Sequence, residues 1–232
     1  MRSLFKRFLA TLVVCSAAPL LLHADDLHAK RDKPVEIDKA IEAPAKDVLQ
    51  YFSEIFGVII EVDARAFATE KLNNPEELKH LVLHKMPVAY LDSVLQCVLW
   101  RTQAVYEIRG DKIVIVPNRS QGKPRAFPPF TEAQLKAQGE LKQRMVKSTV
   151  EIERDLKGSF KGIWCYVEDR FEIPIIIGST HVENVIYYIP TYAEIQKGKY
   201  TFDELLSGVL DQVDARYEVL PDHIRMVDKP KK

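Results

Sequence analysis

Hydrophobic residues recur along the first half of the chain with two different periods. A three- and four-residue spacing predicts a helix over residues 45–56, ended by Gly57. The apolar face of this helix consists of Val48, Leu49, Phe52, Ile55 and Phe56. Alternating or β-branched runs predict strands at residues 35–43, 58–62 and 80–85.

A second helix and a hairpin follow these strands. The helix begins near Pro87, where a missing backbone N–H does no harm. Its apolar stripe consists of Leu91, Val94, Leu95, Val98 and Leu99. Segments 104–108 and 113–116 then form the hairpin. The predicted element order is therefore β-α-β-β-α-β-β in about 80 residues, enough for one modest core.

The same pattern occurs twice in the chain. Residues 35–60 match residues 150–175 at an offset of 115, and residues 92–116 match residues 203–227 at an offset of 111. About 17 of roughly 57 ungapped positions are identical, and ten of these lie in the second block. Chance similarity between two amphipathic patterns does not explain an ungapped block of this kind, so we predict a duplication.

The second copy predicts the same elements in the same order. Its helices fall at residues 160–171 and 201–213, and its strands at residues 173–177 and 185–189, before a hairpin over residues 217–227. The predicted fold class is α+β, with two repeated β-α-β-β-α-β-β units. Each unit packs two helices on small mixed sheets, because that arrangement buries the apolar stripes.

These patterns divide the chain into four segments. They are a signal peptide at residues 1–24, a first domain at 33–117, a Pro-containing linker with a polar helix at 118–147, and a second domain at 148–228. The net charge of the third segment, counted to residue 148, is +5. This charge is typical of a solvated connecting helix and also fits a contact with something acidic.

The polar helix has a recognisable start. Thr131 is predicted to cap its N-terminus, and Gln134 stands three residues later to complete a capping box. Gly139 in the middle weakens the helix. We therefore predict a helix over residues 132–147 that connects the two domains.

The first segment has the layout of an export signal. A short basic start precedes an uncharged apolar run at residues 8–22, followed by small residues near Asp25. We predict cleavage after Ala24, with Ala29 as the alternative. The run is shorter than the ~20 residues that span a bilayer, so an uncleaved anchor is less favoured. The predicted location is the periplasm or the outside of the cell, with no membrane span after cleavage.

Composition agrees with a packed exported protein. The chain is 47% hydrophobic and 28% charged, which is too apolar for a disordered protein. Its 33 basic and 33 acidic residues balance, and loss of the signal peptide leaves 30 basic residues. Such a balance gives no bulk attraction to nucleic acid, so we predict no nucleic-acid partner.

Four motifs of the first unit occur together in a fixed order. They are the helix start at residues 44–49, the apolar strand at 58–63, the second helix at 91–99, and the hairpin at 106–108 and 113–116. With these motifs the first unit resembles the secretin and TonB short N-terminal domain family. The second unit is similar but more degraded. Trp164 replaces the helix leucine of the pattern, and Gly178 replaces its aspartate. The C-terminal domain of iron-citrate-type anti-sigma regulators shows a similar pattern.

The resemblance implies a periplasmic contact module without catalysis, which docks beside an outer-membrane pore or receptor. The expected partner is an envelope or outer-membrane protein. Whether the chain forms an oligomer is left open. No pore is expected, because the two copies occupy nearly the whole mature chain. Two alternatives stay open, namely a small-ligand sensor and an enzyme with a site in the cleft between the domains.

Motifs of catalytic, cofactor and metal sites do not occur in the sequence. It has no dinucleotide-binding, phosphate-binding, nucleophile-elbow or zinc-protease motif. Asp92 and Asp203 recur at the start of a helix, where a carboxylate complements the helix dipole. His223 lies at a hairpin turn and is expected to face solvent. We therefore predict no enzyme, no cofactor and no metal.

Two features remain as candidate contact sites. Cys97 and Cys165 fall off the apolar stripes of their helices, so they could form a disulfide between the domains or between two chains, or lie half-buried against a neighbouring element. The second feature is the predicted strand formed by Val185, Ile186, Tyr187, Tyr188 and Ile189. It is apolar on both faces, so it either binds a partner by strand addition or lies beneath its own helices.

Overall fold

A computed structural model describes residues 24–83, 85–120, 123–171, 173–187 and 191–229. Five helices and nine strands precede the second unit along these residues. In chain order they are α1 (Ala24–Asp32), β1 (Val35–Ile37), β2 (Ile41–Ala43), α2 (Ala45–Phe56), β3 (Ile59–Val62), α3 (Ala64–Thr69), β4 (Leu81–Leu83), β5 (Met86–Ala89), α4 (Leu91–Leu99), β6 (Ala104–Arg109), β7 (Lys112–Pro117), β8 (Arg119–Ser120), β9 (Lys123–Pro124) and α5 (Glu132–Lys147).

The second unit follows directly after α5. Its elements are β10 (Thr149–Ile152), β11 (Leu156–Ser159), α6 (Phe160–Phe171), β12 (Ile175–Ile177), α7 (Thr180–Tyr187), β13 (Tyr192–Ile195), β14 (Gly198–Thr201), α8 (Phe202–Asp211), β15 (Ala215–Val219) and β16 (Ile224–Asp228). The order of helices and strands from β10 to β16 repeats the order from β1 to β7. The predicted α+β fold of two similar halves is therefore confirmed.

The sheets repeat as closely as the element order. Each unit has a three-stranded sheet, β3-β7-β6 or β12-β16-β15, and two two-stranded sheets. In the first unit Ile60 pairs with Ile113 across a parallel ladder. In the second unit the corresponding residues, Ile175 and Ile224, pair in the same way. The duplication inferred from sequence thus extends to strand register.

Each unit closes its own hydrophobic core. Phe52, Leu95 and Tyr106 lie in the first core, and Phe202 and Leu206 lie in the second. Both cores are built from the helix faces that the spacing predicted. Helices α2 and α6 have the predicted bounds, and Gly57 ends α2 in the left-handed conformation, at φ 63°.

Several parts of the sequence prediction differ from the structure. The single strand predicted at residues 35–43 is interrupted, giving β1 and β2. The strand predicted at residues 80–85 is shorter and forms β4. Pro87, predicted near the start of the second helix, lies in strand β5 instead, and the helix begins at Leu91. The strand predicted at 185–189 is wrong, because Val185, Ile186 and Tyr187 lie in helix α7. Residues 188–189 lie outside the described part of the chain.

Helix α5 has the predicted bounds and the predicted Thr131–Gln134 capping box. It does not connect the domains through solvent, however. Leu141 and Met145 are buried in the second core, and the helix contacts α8, β14 and β15. Helix α1 holds the corresponding place in the first unit, where Leu27 is buried and the helix contacts α4. Each unit therefore begins with a helix ahead of its first strand.

The N-terminal segment is described only from residue 24 onward, so the predicted signal peptide lies outside the described residues apart from Ala24. Within the described ranges, no helix combines the length and apolar character needed to cross a bilayer.

Candidate functional site

Helix α4 lies where the two units meet. All nine of its residues are buried, although its spacing predicted only one apolar face. Its second face is polar and packs against the other unit, with Gln96 Oε1 3.5 Å from Arg225 Nη1. Ile176 of β12 also packs into the first core. The two units therefore share a packed interface that includes buried polar groups.

Three side chains at this interface form a continuous hydrogen-bonded series. Cys97 Sγ lies 3.1 Å from His223 Nε2, and His223 Nδ1 lies 2.6 Å from Asp222 Oδ1. The other carboxylate oxygen of Asp222 accepts a 2.5 Å hydrogen bond from the backbone N–H of Tyr90, just before α4. The turn between β15 and β16 is thereby hydrogen-bonded to the residue before α4 and to Cys97 in its last turn.

The series is arranged like the thiol, imidazole and carboxylate of a cysteine hydrolase. Its burial argues against that chemistry, because His223 is 0% exposed and Cys97 and Asp222 are each 8% exposed. Burial opposes a charge on His223, but electrostatic attraction and hydrogen bonds from the neighbouring Cys97 and Asp222 outweigh it and raise the pKa of His223 to about 10. A charged imidazole held between two acceptors stabilises the interface, and we assign the series a structural role.

The predictions for these residues need correction. His223 does not face solvent at the turn, because the turn inserts against α4. Cys97 is buried against His223, whereas Cys165 is exposed on α6, and both are free thiols. The candidate disulfide between them is therefore not formed. The partner for Cys97 is an imidazole from the other unit.

A second polar cluster lies between α1, α4 and β6. The guanidinium of Arg31 donates to both carboxylate oxygens of Asp92, at 2.8–3.1 Å. Asp92 and Tyr106 are both 0% exposed and lie beside each other. Burial and the charge of Asp92 raise the pKa of Tyr106 well above its usual range. The aspartate predicted to serve the helix dipole is thus half of a buried ion pair.

The chain's own residues 125–131 cover this cluster. The Phe127 ring packs against Tyr106, with 5.6 Å between the ring centroids. The carbonyl oxygen of Pro129 accepts a 2.9 Å hydrogen bond from Arg31. Arg125 pairs with Glu107 at 3.2 Å. The groove between α1 and β6 is therefore filled by an extended, proline-containing segment that brings an aromatic ring.

The corresponding groove in the second unit is open. It has a volume of about 570 Å³ and lies between α5 and β15. Its lining residues are Lys142, Met145, Val146, Asp203, Tyr217, Glu218 and Val219. The Tyr217 hydroxyl donates a short hydrogen bond to Asp203. Burial and this contact raise the pKa of Tyr217 to about 12.

The two grooves share the aspartate and the tyrosine but differ in what surrounds them. The last turn of α5 places Met145 and Val146 at the second groove, whereas the last turn of α1 places Arg31 at the first. Val146 is 60% exposed. Among the described residues, Asp203 thus meets a tyrosine hydroxyl and no guanidinium. The second groove is the candidate functional site.

The residues predicted from sequence to bind a partner do not form this groove. Val185 and Ile186 are buried in the second core, so they present no strand edge to a partner. Tyr187 lies at the end of α7, and Tyr188 and Ile189 lie outside the described residues. The alternative prediction was burial beneath the unit's own elements. Val185 and Ile186 are buried in this way.

Arg31 and Phe127, which contact Asp92 and Tyr106 in the first groove, were not identified from the sequence. When the buried positions of the two helices α1 and α5 are matched, Leu27 falls on Leu141 and Arg31 on Met145. Only the leucine of these two is identical. The repeat of this helix therefore leaves little trace in the sequence. The recurrence of Asp92 with Tyr106 as Asp203 with Tyr217 is the signal that could have located both grooves.

The chain matches no protein-family model, no curated protein and no solved structure. What the fold and the grooves define is a class of architecture, an α+β protein made of two similar halves.

Proposed function

We propose that the protein is a non-enzymatic protein–protein contact module of the cell envelope, and that the groove between α5 and β15 is its contact surface. The N-terminal basic and apolar pattern supports export. The resemblance of each unit to the secretin and TonB short N-terminal domain supports a docking role beside an outer-membrane protein.

One observation carries the proposal. The same groove exists twice, and the chain fills the first copy with its own residues 125–131 while the second copy stays open. A surface that demonstrably accommodates an extended segment in one unit is a suitable surface for a segment of another protein in the other. The burial of Cys97, Asp222 and His223 supports a structural rather than a catalytic role for the thiol series.

Site-specific photocrosslinking tests this proposal. A benzophenone amino acid is placed at Val219, which lines the open groove, in the full chain expressed in its own envelope. The expected result is a discrete adduct with one envelope protein. Placement at Ile108, the corresponding position on β6, is the matched control. Its side chain is 39% exposed, so it controls for surface accessibility, and it should give no such adduct.

Two results contradict the proposal. One is the absence of any adduct from position 219 in a chain that is folded and exported. The other is the same set of adducts from positions 219 and 108, because that pattern would reflect general surface proximity rather than a groove.

A further inference from the structure

We infer that the open groove binds an extended segment of a partner protein that carries an arginine and, two residues before it, an aromatic ring. This inference rests on the proposed function and adds the chemistry of the partner. Its template is the filled groove of the first unit, which shows what an aspartate and a tyrosine in these positions require.

The aromatic ring is inferred from Tyr217. In the first unit the corresponding Tyr106 packs against Phe127. In the second unit the ring of Tyr217 lines the groove together with Val146 and Val219. These apolar surfaces would be removed from water by a ring in the place of Phe127, and aromatic pairs gain further from their geometry.

The arginine is inferred from Asp203. The corresponding Asp92 is neutralised by two-point contact with Arg31, whereas Asp203 receives the Tyr217 hydroxyl. The other carboxylate of the groove, Glu218, is already paired with Arg216 at 3.0 Å and Arg225 at 2.7 Å. Asp203 is therefore the anion that a guanidinium would reach, and the planar fork of arginine suits a carboxylate better than an ammonium group does.

The spacing follows from the filled groove. The carbonyl oxygen of Pro129 lies 2.9 Å from the guanidinium that holds Asp92. An arginine in the place of Pro129 would therefore start beside the carboxylate, two residues after the aromatic ring in the place of Phe127. The partner segment is extended, because Phe127 and Pro128 each precede a proline, which restricts their backbone to the extended region.

A second copy of this chain fits less well than a partner protein. Residues 125–131 already occupy the first groove of their own chain. They also carry a proline where the second groove requires an arginine. The occupant is therefore a segment of another protein.

Fluorescence anisotropy with labelled peptides tests the inference on the full mature chain. One peptide has the sequence of residues 123–131, and the other has the same sequence with Pro129→Arg. We expect the arginine peptide to bind roughly tenfold more tightly, the size of one charge-assisted hydrogen-bonded contact. In the protein, Asp203→Asn should remove this preference, and Val146→Arg should weaken binding by placing a guanidinium in the groove.

Matched controls separate the groove from general charge effects. Asp211→Asn removes one negative charge from the same helix, at a carboxylate that pairs with Lys229, and should leave the preference unchanged. A Phe127→Ala version of the arginine peptide should lose most of its binding. Thermal unfolding of each protein variant confirms that it is folded.

Three results would overturn the inference. They are equal affinity for the two peptides, a preference that survives Asp203→Asn, and concentration-dependent self-association that Val146→Arg abolishes, which would make the occupant a second copy. If the peptides fail while position 219 still crosslinks to an envelope protein, the arginine and aromatic chemistry is wrong and the contact function stands.

Discussion

The two units keep the same aspartate and tyrosine and place them in opposite settings. Asp92 is 0% exposed and paired with Arg31 under residues 125–131. Asp203 lines an open groove and accepts the Tyr217 hydroxyl. The pair itself is the same, so the helix that precedes each unit and the segment that covers it decide whether the pair supports the fold or remains accessible.

Helices α4 and α8 show the same contrast on a larger scale. Cys97 on α4 is buried against the second unit. Its counterpart on α8 is Gly208, where an added Cβ would meet no atom within 4 Å. The polar face of α4 packs against the second unit, whereas the corresponding face of α8 has open space at Gly208. One of the two equivalent helix faces therefore forms the interface between the units, and the other is accessible.

The largest predicted effect comes from breaking the buried ion pair. Arg31→Met should lower the free energy of unfolding by about 3–5 kcal/mol, because it leaves the Asp92 carboxylate buried without a cation. Denaturant unfolding followed by tryptophan fluorescence measures the change. Val146→Met, in the last turn of α5, is the matched control and should change stability by less than about 0.5 kcal/mol. If both variants lost the same free energy of unfolding, the two grooves would contribute equally to stability, which would contradict the contrast between them.

The next largest loss of stability is expected from a change at the interface between the units. His223→Gln should cost about 2–4 kcal/mol, because it disrupts a buried, charged hydrogen-bond series. The corresponding residue of the first unit is Lys112, which forms an exposed ion pair with Glu61. Lys112→Gln should therefore cost about 0–1 kcal/mol. The same denaturant experiment measures both, and a loss confined to Lys112→Gln would contradict the assigned interface.

The pH dependence of stability tests the charge on His223. Its pKa is raised to about 10 in the folded protein, above the ~6.5 of an unfolded histidine. The stabilisation is therefore complete below about pH 6.5 and is lost as pH rises toward about 10. The free energy of unfolding of the native chain should fall over this window. The difference between native and His223→Gln proteins should shrink over the same range, and a constant difference would contradict a charged imidazole.

The sequence predicted most of the fold because each unit repeats one local pattern. The bounds of α2 and α6 and the capping box of α5 follow from apolar spacing and a four-residue motif. The prediction was wrong at residues 185–187, where β-branched content suggested a strand. Val182, Val185 and Ile186 are all buried in α7 at helical spacing.

The candidate site could be predicted only in part. The recurrence of Asp92 and Tyr106 as Asp203 and Tyr217 was visible in the sequence, but their different surroundings were not. Arg31, Phe127 and His223 reach their partners across 61, 21 and 126 residues. The spacing of residues within one helix or strand carries no information about contacts between residues so far apart in the sequence. The burial of the polar face of α4 by the second unit therefore could not be predicted.

Gly178 gives a smaller effect and explains a departure from the resemblance. It stands where the first unit has Asp63, which caps α3. A Cβ at Gly178 would lie 2.4 Å from Arg225 Cγ and 2.8 Å from the Met226 carbonyl oxygen. Gly178→Ala should therefore cost about 1–3 kcal/mol by overpacking. Gly208→Ala, with open space around it, should stabilise α8 by about 0.5–1 kcal/mol, so thermal shifts of opposite sign are expected.

The smallest effect distinguishes the two tyrosines. Tyr217→Phe removes one hydrogen bond to a partly exposed Asp203, which water can replace, so it should cost at most about 1 kcal/mol. Spectrophotometric titration gives a second measurement, since the variant should lack the tyrosine that ionises with a pKa of about 12. Asp203→Asn should lower the pKa of Tyr217, because burial remains but the acceptor charge is gone. If Asp203→Asn left that pKa unchanged, burial alone would raise the pKa of Tyr217, and Asp203 would not be the acceptor of the Tyr217 hydroxyl.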